Sequence, residues 1–197
     1  MKPQISPARV EELLKKSGAY LDGHFELRSG KHSGHYVEKF RLLEKPDIAA
    51  ELCAAIADVF RNQGIQRVAG PALGGVVIAY EVARSLGVTC AFAERVEDKL
   101  TFRRGFEFAP GEKVLVVEDI VTTGGSARQV VQAVREAGAD PVGAAIMVNR
   151  SGKPLDLGAP AIALMDLDIP TFDPDHCPLC ADGIPIYMPG SKGTEKK

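Results

Sequence analysis

The chain has 197 residues, 45% of them hydrophobic and 25% charged, with a formal net charge of -2. Such a length and composition suit one soluble globular domain, residues 1–197, with room for a small appendage and a sizeable core. No apolar run is long enough to span a bilayer, the N-terminus lacks a signal-peptide pattern, and no basic stretch is long enough for a nucleic-acid arm; the expectation is a cytoplasmic protein with no membrane and no nucleic-acid partner.

Residues 7–17 are predicted to form an amphipathic helix, with Val10, Leu13 and Leu14 at helical spacing. Gly23, Gly30 and Gly34 then separate short alternating stretches, a strand–turn–strand pattern. Residues 46–63 read as a helix with Pro46 in its first turn and Ile48, Leu52, Ile56, Val59 and Phe60 on one stripe. From there apolar strands (67–70, 88–94, 113–119, 141–150, 161–167) alternate with helices (about 76–86 and up to about 137). That order indicates a central parallel sheet flanked by helices on both faces. Residues 95–113 interrupt it with a long, charged stretch in which "LTFRRGFEF" alternates like a hairpin, and a mobile hairpin can serve as a lid.

In an open α/β sheet, ligands sit beyond the carboxyl ends of the strands. Two strand ends here carry unusual residues. "GPALGG", 70–75, offers glycines that let backbone amides face an anion, although such turns also serve packing alone. "VLVVEDIVTTGGSAR", 114–128, runs a buried strand into Glu118 and Asp119, and then through Ile120 and Val121 into a turn of Thr122, Thr123, Gly124, Gly125 and Ser126. Hydroxyls and amides at a helix N-terminus suit a phosphomonoester, whereas the two acids suit vicinal hydroxyls or a hydrated divalent metal. The ligand so described is a sugar phosphate, most simply a ribose 5-phosphate. Neither string matches a nucleotide P-loop or a dinucleotide fingerprint.

The string "VLVVEDIVTTGGSA" resembles the phosphoribosyl pyrophosphate (PRPP) motif of the type I phosphoribosyltransferases. The resemblance implies that Glu118 and Asp119 face the ribose hydroxyls, that residues 120–126 hold the 5-phosphate, and that Ala72, Leu73 and Gly74 lie in the pyrophosphate loop. Within that family, "GHFELRSGKHSGHYVEKFRLL", 23–43, resembles the stretch with which orotate phosphoribosyltransferases cover the base, and "CPLC…GIP…PGSK" resembles a subgroup found in thermophiles and some other bacteria. Orotate is a planar anion and needs a cation, donors and a flat apolar face. The resemblance assigns these roles to Arg28, Tyr36, Thr122 and Arg150.

The same likeness implies an N-terminal helix and hood (1–45), a core sheet (65–170) with a lid at about 95–112, and a C-terminal segment (171–197). It implies Lys99 and Arg95 as catalytic lid cations; Arg103 and Arg104 are expected to supply the charge that this lid lacks relative to the family pattern, Arg103 as a further PRPP contact. Mg²⁺ would be held mainly by PRPP, with Asp119 as the one candidate for direct ligation, and a homodimer would share its lids across subunits. The chain departs from the family pattern at Leu73 and Gly74, where Tyr-Lys is common, and at Glu94, where arginine is common; its lid carries no histidine. Alternatives are a purine salvage transferase and a non-catalytic regulator that binds nucleic acid; the latter needs a basic face, which a net charge of -2 does not offer.

"DHCPLC" places His176 beside Cys177 and Cys180. Three such residues could bind zinc, but a structural site normally closes with a second ligand pair, and the sequence displays only one. The expectation is therefore a pair of reduced thiols in a C-terminal turn.

Overall fold

A computed structural model describes residues 2–27 and 29–189. Its centre is a six-stranded sheet in the order β5-β4-β3-β6-β7-β8. The strands are β3 (Arg67–Pro71), β4 (Thr89–Val96), β5 (Lys99–Phe102), β6 (Lys113–Val121), β7 (Asp140–Asn149) and β8 (Ala161–Asp166). All neighbours are parallel except β4 and β5, whose antiparallel hairpin forms one edge. Successive residues of β6 feed opposite faces: Leu115 and Val117 enter one core, Val114 and Val116 the other. Burial on both faces is why this strand is apolar without alternation.

One face is covered by α1 (Pro7–Lys16), α3 (Pro46–Phe60) and α4 (Gly74–Leu86), the other by α5 (Gly125–Glu136). Ser6 caps α1, its hydroxyl accepting from the Arg9 amide, and Pro7 supplies a first-turn residue with no amide to satisfy. Leu13, Leu14, Leu52, Ile56 and Phe60 are at most 1% exposed, and each such side chain stabilises the fold by about 1.5–3 kcal/mol. The predicted helix 46–63 ends earlier, at Phe60, and α4 starts two residues before the expected Val76 because the glycines of the loop already join its first turn.

The N-terminal hairpin, β1 (Tyr20–Glu26) and β2 (His32–Val37), forms a separate three-stranded sheet with β9 (Thr171–Phe172). A short helix, α2 (Lys39–Leu43), leads from this hairpin back to the core. A single 3-10 turn at Pro174–His176 and a four-residue helix, α6 (Pro178–Ala181), follow β9. The hairpin register shifts between Asp22 and Phe25, so Gly23 and His24 oppose Gly34 alone. This bulge breaks the alternation and turns both His24 and Phe25 inward.

Candidate active site

The carboxyl ends of β3, β6 and β7 meet on one rim. Glu118 and Asp119, at the end of β6, are 9% and 2% exposed. The Ile120 amide donates to Asp119 Oδ1 at 2.6 Å. Asp119 Oδ2 accepts no aligned hydrogen bond among the described residues, although Lys39 Nζ lies 3.0 Å away as an ionic partner. Lys39 comes from α2 and was not singled out by sequence; nothing in its local pattern distinguishes it from a surface lysine.

Burial, reinforced by the neighbouring Asp119 charge, pushes the Glu118 carboxyl up from 4.5 to about 7. For an acid raised in the folded state, stability is complete below pH 4.5 and declines as the pH rises toward 7, by roughly 3 kcal/mol at most. Glu118→Gln should therefore flatten the loss of thermal stability between pH 5 and pH 8 while weakening PRPP binding at least about tenfold, because an amide mimics the carboxylate's shape without its charge. Melting curves at both pH values, with PRPP titration calorimetry, check this; an unchanged pH slope would remove Glu118 from the account.

Immediately after β6, Thr122 and Thr123 are exposed and Gly124 takes φ 75°, a left-handed conformation that favours glycine. The N-cap of α5 is Gly124, which has no side chain to cap with; the Gly125 amide donates to the Thr123 hydroxyl at 3.4 Å, and the Ala127 amide bonds the Glu118 carboxylate, so the acid and the turn meet at the helix start. Arg128 holds this turn in place, donating to the Thr123 carbonyl at 2.6 Å and to the Asp156 carbonyl at 2.8 Å. The turn lines a cavity of about 360 Å³ whose wall includes Arg128, Ser151 and Lys153. The last three are site residues that the sequence did not reveal, since they come from a helix and a loop with no motif of their own.

The loop Pro71–Gly75 lies beside the acid pair. A Cβ on Gly70 would stand 2.5 Å from the Gly75 carbonyl oxygen, and one on Gly74 would stand 1.9 Å from Asp119 Oδ2. These glycines are thus required by close approach: the loop backbone packs directly on the acid. Ala72 and Leu73 are exposed and joined by a cis peptide.

Arg150 follows β7 and is tied to the end of β6 by its amide, which donates to the Val121 carbonyl at 2.7 Å. Its Nε is buried with no partner among the described residues. Burial pulls its guanidinium pKa down, and the nearby Tyr36 and Tyr20 partly counter that. Tyr36 is half-buried on β2, its ring centroid 5.7 Å from that of Phe25, and burial raises its pKa. A planar anion between Arg150 and Tyr36 would satisfy both groups. Arg28 lies outside the described residues.

Arg95 and Lys99 are exposed on the β4–β5 hairpin, with Arg95 donating to the Asp98 carbonyl at 3.2 Å. Arg104 makes a two-pronged ion pair with Glu94 at 2.8 and 2.9 Å, and Arg103 is exposed beside it. Beyond them the chain is anchored: Phe106 packs edge-on against Phe92, Phe108 against Phe102, and Arg67 pairs with the buried Glu112 at 2.8 Å. Of the stretch 95–112, the hairpin tip, residues 103–105, Glu107 and residues 109–111 are exposed, while Phe106, Phe108 and Glu112 tie the chain to the sheet edge.

A family model described as phosphoribosyl transferase domain matches residues 41–168. An orotate phosphoribosyltransferase of Desulforamulus reducens is 48% identical over 183 residues, covering 93% of this chain and 96% of its own. That of Thermotoga maritima is 46% identical over 186 residues, covering 94% and 100%. A crystal structure of orotate phosphoribosyltransferase from Aeropyrum pernix superposes with a TM-score of 0.68 at 26% identity, over 80% of this chain and 93% of that one. The buried acids, the glycine-threonine turn behind them and these matches lead to one conclusion: the chain belongs to the phosphoribosyltransferase family, among the orotate phosphoribosyltransferases.

Proposed function

We infer that this protein joins orotate to the ribose 5-phosphate of PRPP, forming orotidine 5-monophosphate and pyrophosphate in de novo pyrimidine synthesis. The observation that supports this most directly is the buried pair Glu118–Asp119, set between a glycine-threonine turn at a helix start and a half-buried Arg150 whose Nε has no partner among the described residues. The cradle of residues 122–126 holds the 5-phosphate, and the acids accept from the ribose hydroxyls. Arg150, Tyr36 and Thr122, with Arg28, position the orotate ring. The ring nitrogen forms a bond to the anomeric carbon as the bond to pyrophosphate breaks; that electron pair leaves with the pyrophosphate, whose oxygens also take up the proton that the ring nitrogen gives up. Orotate is already nucleophilic, so the chain's task is electrostatic: to stabilise positive character on the sugar and negative charge on the leaving group.

Asp119 Oδ2, a buried carboxylate oxygen without an aligned donor, fits Mg²⁺ chemistry. Mg²⁺ bound with PRPP would offset the charge on pyrophosphate. Lys99 and Arg95 on the hairpin, with Arg103, would cover the leaving group and exclude water. The exposed apolar face of Leu73, Val77 and Tyr80 supports a homodimer, which would bring one subunit's hairpin to the other's site. Among the described residues no helix is long and apolar enough to cross a membrane, and we place the protein in the cytoplasm.

A panel of bases tests the reading. With PRPP and Mg²⁺, orotate absorbance should fall in step with pyrophosphate release, and hypoxanthine, guanine and adenine should give no turnover. Turnover with a purine alone would instead make this a salvage transferase. Salt-sensitive RNA binding with no base consumed would make it a regulator.

A further inference from the structure

The hood hairpin and the C-terminal segment bring four metal-ligating side chains together away from the sheet rim. His24 of β1, His32 of β2, Cys177 and Cys180 each present one donor atom, and all four atoms lie within 4.8 Å of one another. His24 Nε2 is 3.0 Å from His32 Nδ1, 3.6 Å from Cys177 Sγ and 3.7 Å from Cys180 Sγ, and Cys180 Sγ is 3.3 Å from His32 Nδ1. A tetrahedral zinc ion, with Zn–N near 2.05 Å and Zn–S near 2.3 Å, sets its ligand atoms about 3.3 Å (N to N) and about 3.6 Å (N to S) apart. We propose that His24 Nε2, His32 Nδ1, Cys177 Sγ and Cys180 Sγ bind one Zn²⁺ in a closed structural site that clasps the C-terminal segment to the hood.

Three further features agree. The Ile184 carbonyl lies 2.8 Å from His24 Nδ1. A carbonyl can only accept, so Nδ1 carries the proton and Nε2 turns its lone pair toward the cluster, the outer-shell arrangement typical of zinc-bound histidine. His24, His32 and Cys177 are 3%, 7% and 4% exposed. Cys180 is exposed and closes the cluster from the solvent side; two thiolates neutralise a divalent ion, so the assembly brings no net charge to the three buried ligands, and the sulfur–imidazole donor set selects zinc over Mg²⁺ or Ca²⁺.

The end of the segment is only partly covered: Ile184, Ile186, Tyr187 and Met188 are 41%, 43%, 46% and 37% exposed. Beside the cluster it is tied to the hairpin by backbone bonds from Tyr187 to the His24 carbonyl and from Glu26 to the Tyr187 carbonyl and by the Tyr187 ring against Phe25, in addition to the β2–β9 pairing upstream. His176, the histidine adjacent in sequence, is exposed on the 3-10 turn and lies outside the group. The second ligand pair comes instead from the hairpin, where the β1 bulge turns His24 inward. Because that hairpin carries Tyr36, the clasp would also steady the base site; this consequence rests on the proposed function, whereas metal binding does not.

Elemental analysis of the untagged protein should give one zinc per chain, and cobalt exchange should give the visible spectrum of a tetrahedral thiolate site. Cys180→Ser and His32→Ala should lose the ion, and His176→Ala should keep it. Should a ligand variant fail to fold, mercurial titration of the wild-type thiols should release one zinc per chain to a chromogenic chelator. Four results would overturn the site: wild-type protein that neither contains nor takes up zinc, a Cys177–Cys180 disulfide in the native chain, metal retained by both ligand variants, or metal lost from His176→Ala.

Discussion

Gly74→Ala is expected to lower kcat/KM for PRPP by about two to three orders of magnitude, on the order of 3–4 kcal/mol, while the protein still folds. The added methyl would stand 1.9 Å from Asp119 Oδ2, so the carboxylate must swing away. It has little freedom to do so, being 2% exposed and held by the Ile120 amide at 2.6 Å. Displacement breaks the Lys39 pair and withdraws the acid from the ribose hydroxyls, contacts that charge-assisted hydrogen bonds make costly to lose. Steady-state kinetics with circular dichroism decide the matter. Near-wild-type kcat/KM in a folded variant would mean that Asp119 does not hold the sugar.

Arg150→Met should separate function from stability in the opposite sense to an ordinary core substitution. The side chain is half-buried, its Nε lacks a partner among the described residues, and burial already depresses its pKa. A partly desolvated charge with one donor left unpaired in the free state costs the fold some stability. Methionine fills similar space without that charge, so the melting temperature should hold or rise. Orotate kcat/KM should fall about a hundredfold or more, since the substrate carboxylate loses its charged donor. PRPP affinity should change little. A drop in melting temperature with orotate kinetics intact would assign Arg150 a purely structural role.

Both variants act on residues that differ in how plainly the sequence declares them. The β6 string was legible because its chemistry is local: a strand end, a turn and a helix start are consecutive, so Glu118 through Ser126 must share one rim once the strand is recognised. Arg150 was singled out by the family resemblance, and the fold sets it after a parallel strand that ends beside β6. The same regularity made the sheet readable, because strands buried on both faces are apolar throughout and helices between them carry one apolar stripe. Helix ends were less accurate, as at Phe60 and Gly74, where turn contacts decide the last residues.

Contacts between distant segments were not legible. Lys39 and Asp119 are eighty positions apart in sequence, and only the path of α2 past the end of β6 joins them. Gly74 reads as one more loop glycine until its backbone is seen against Asp119. The cysteine pair showed half of a metal site, with His176 as its apparent neighbour. The histidines that complete it lie on the hood, His24 being 156 residues from Cys180. No periodicity encodes that meeting. It depends on a bulge that rotates one side chain inward and on a C-terminal segment that returns across the hairpin. The sequence alone therefore determined the sheet and the grouping of Glu118 through Ser126 on one rim, where neighbours in chain are neighbours in space. Tertiary packing decided the acid's ionic partner, the steric need for Gly74 and the four-residue metal cluster, because side-chain direction across segments is set by packing and not by order along the chain.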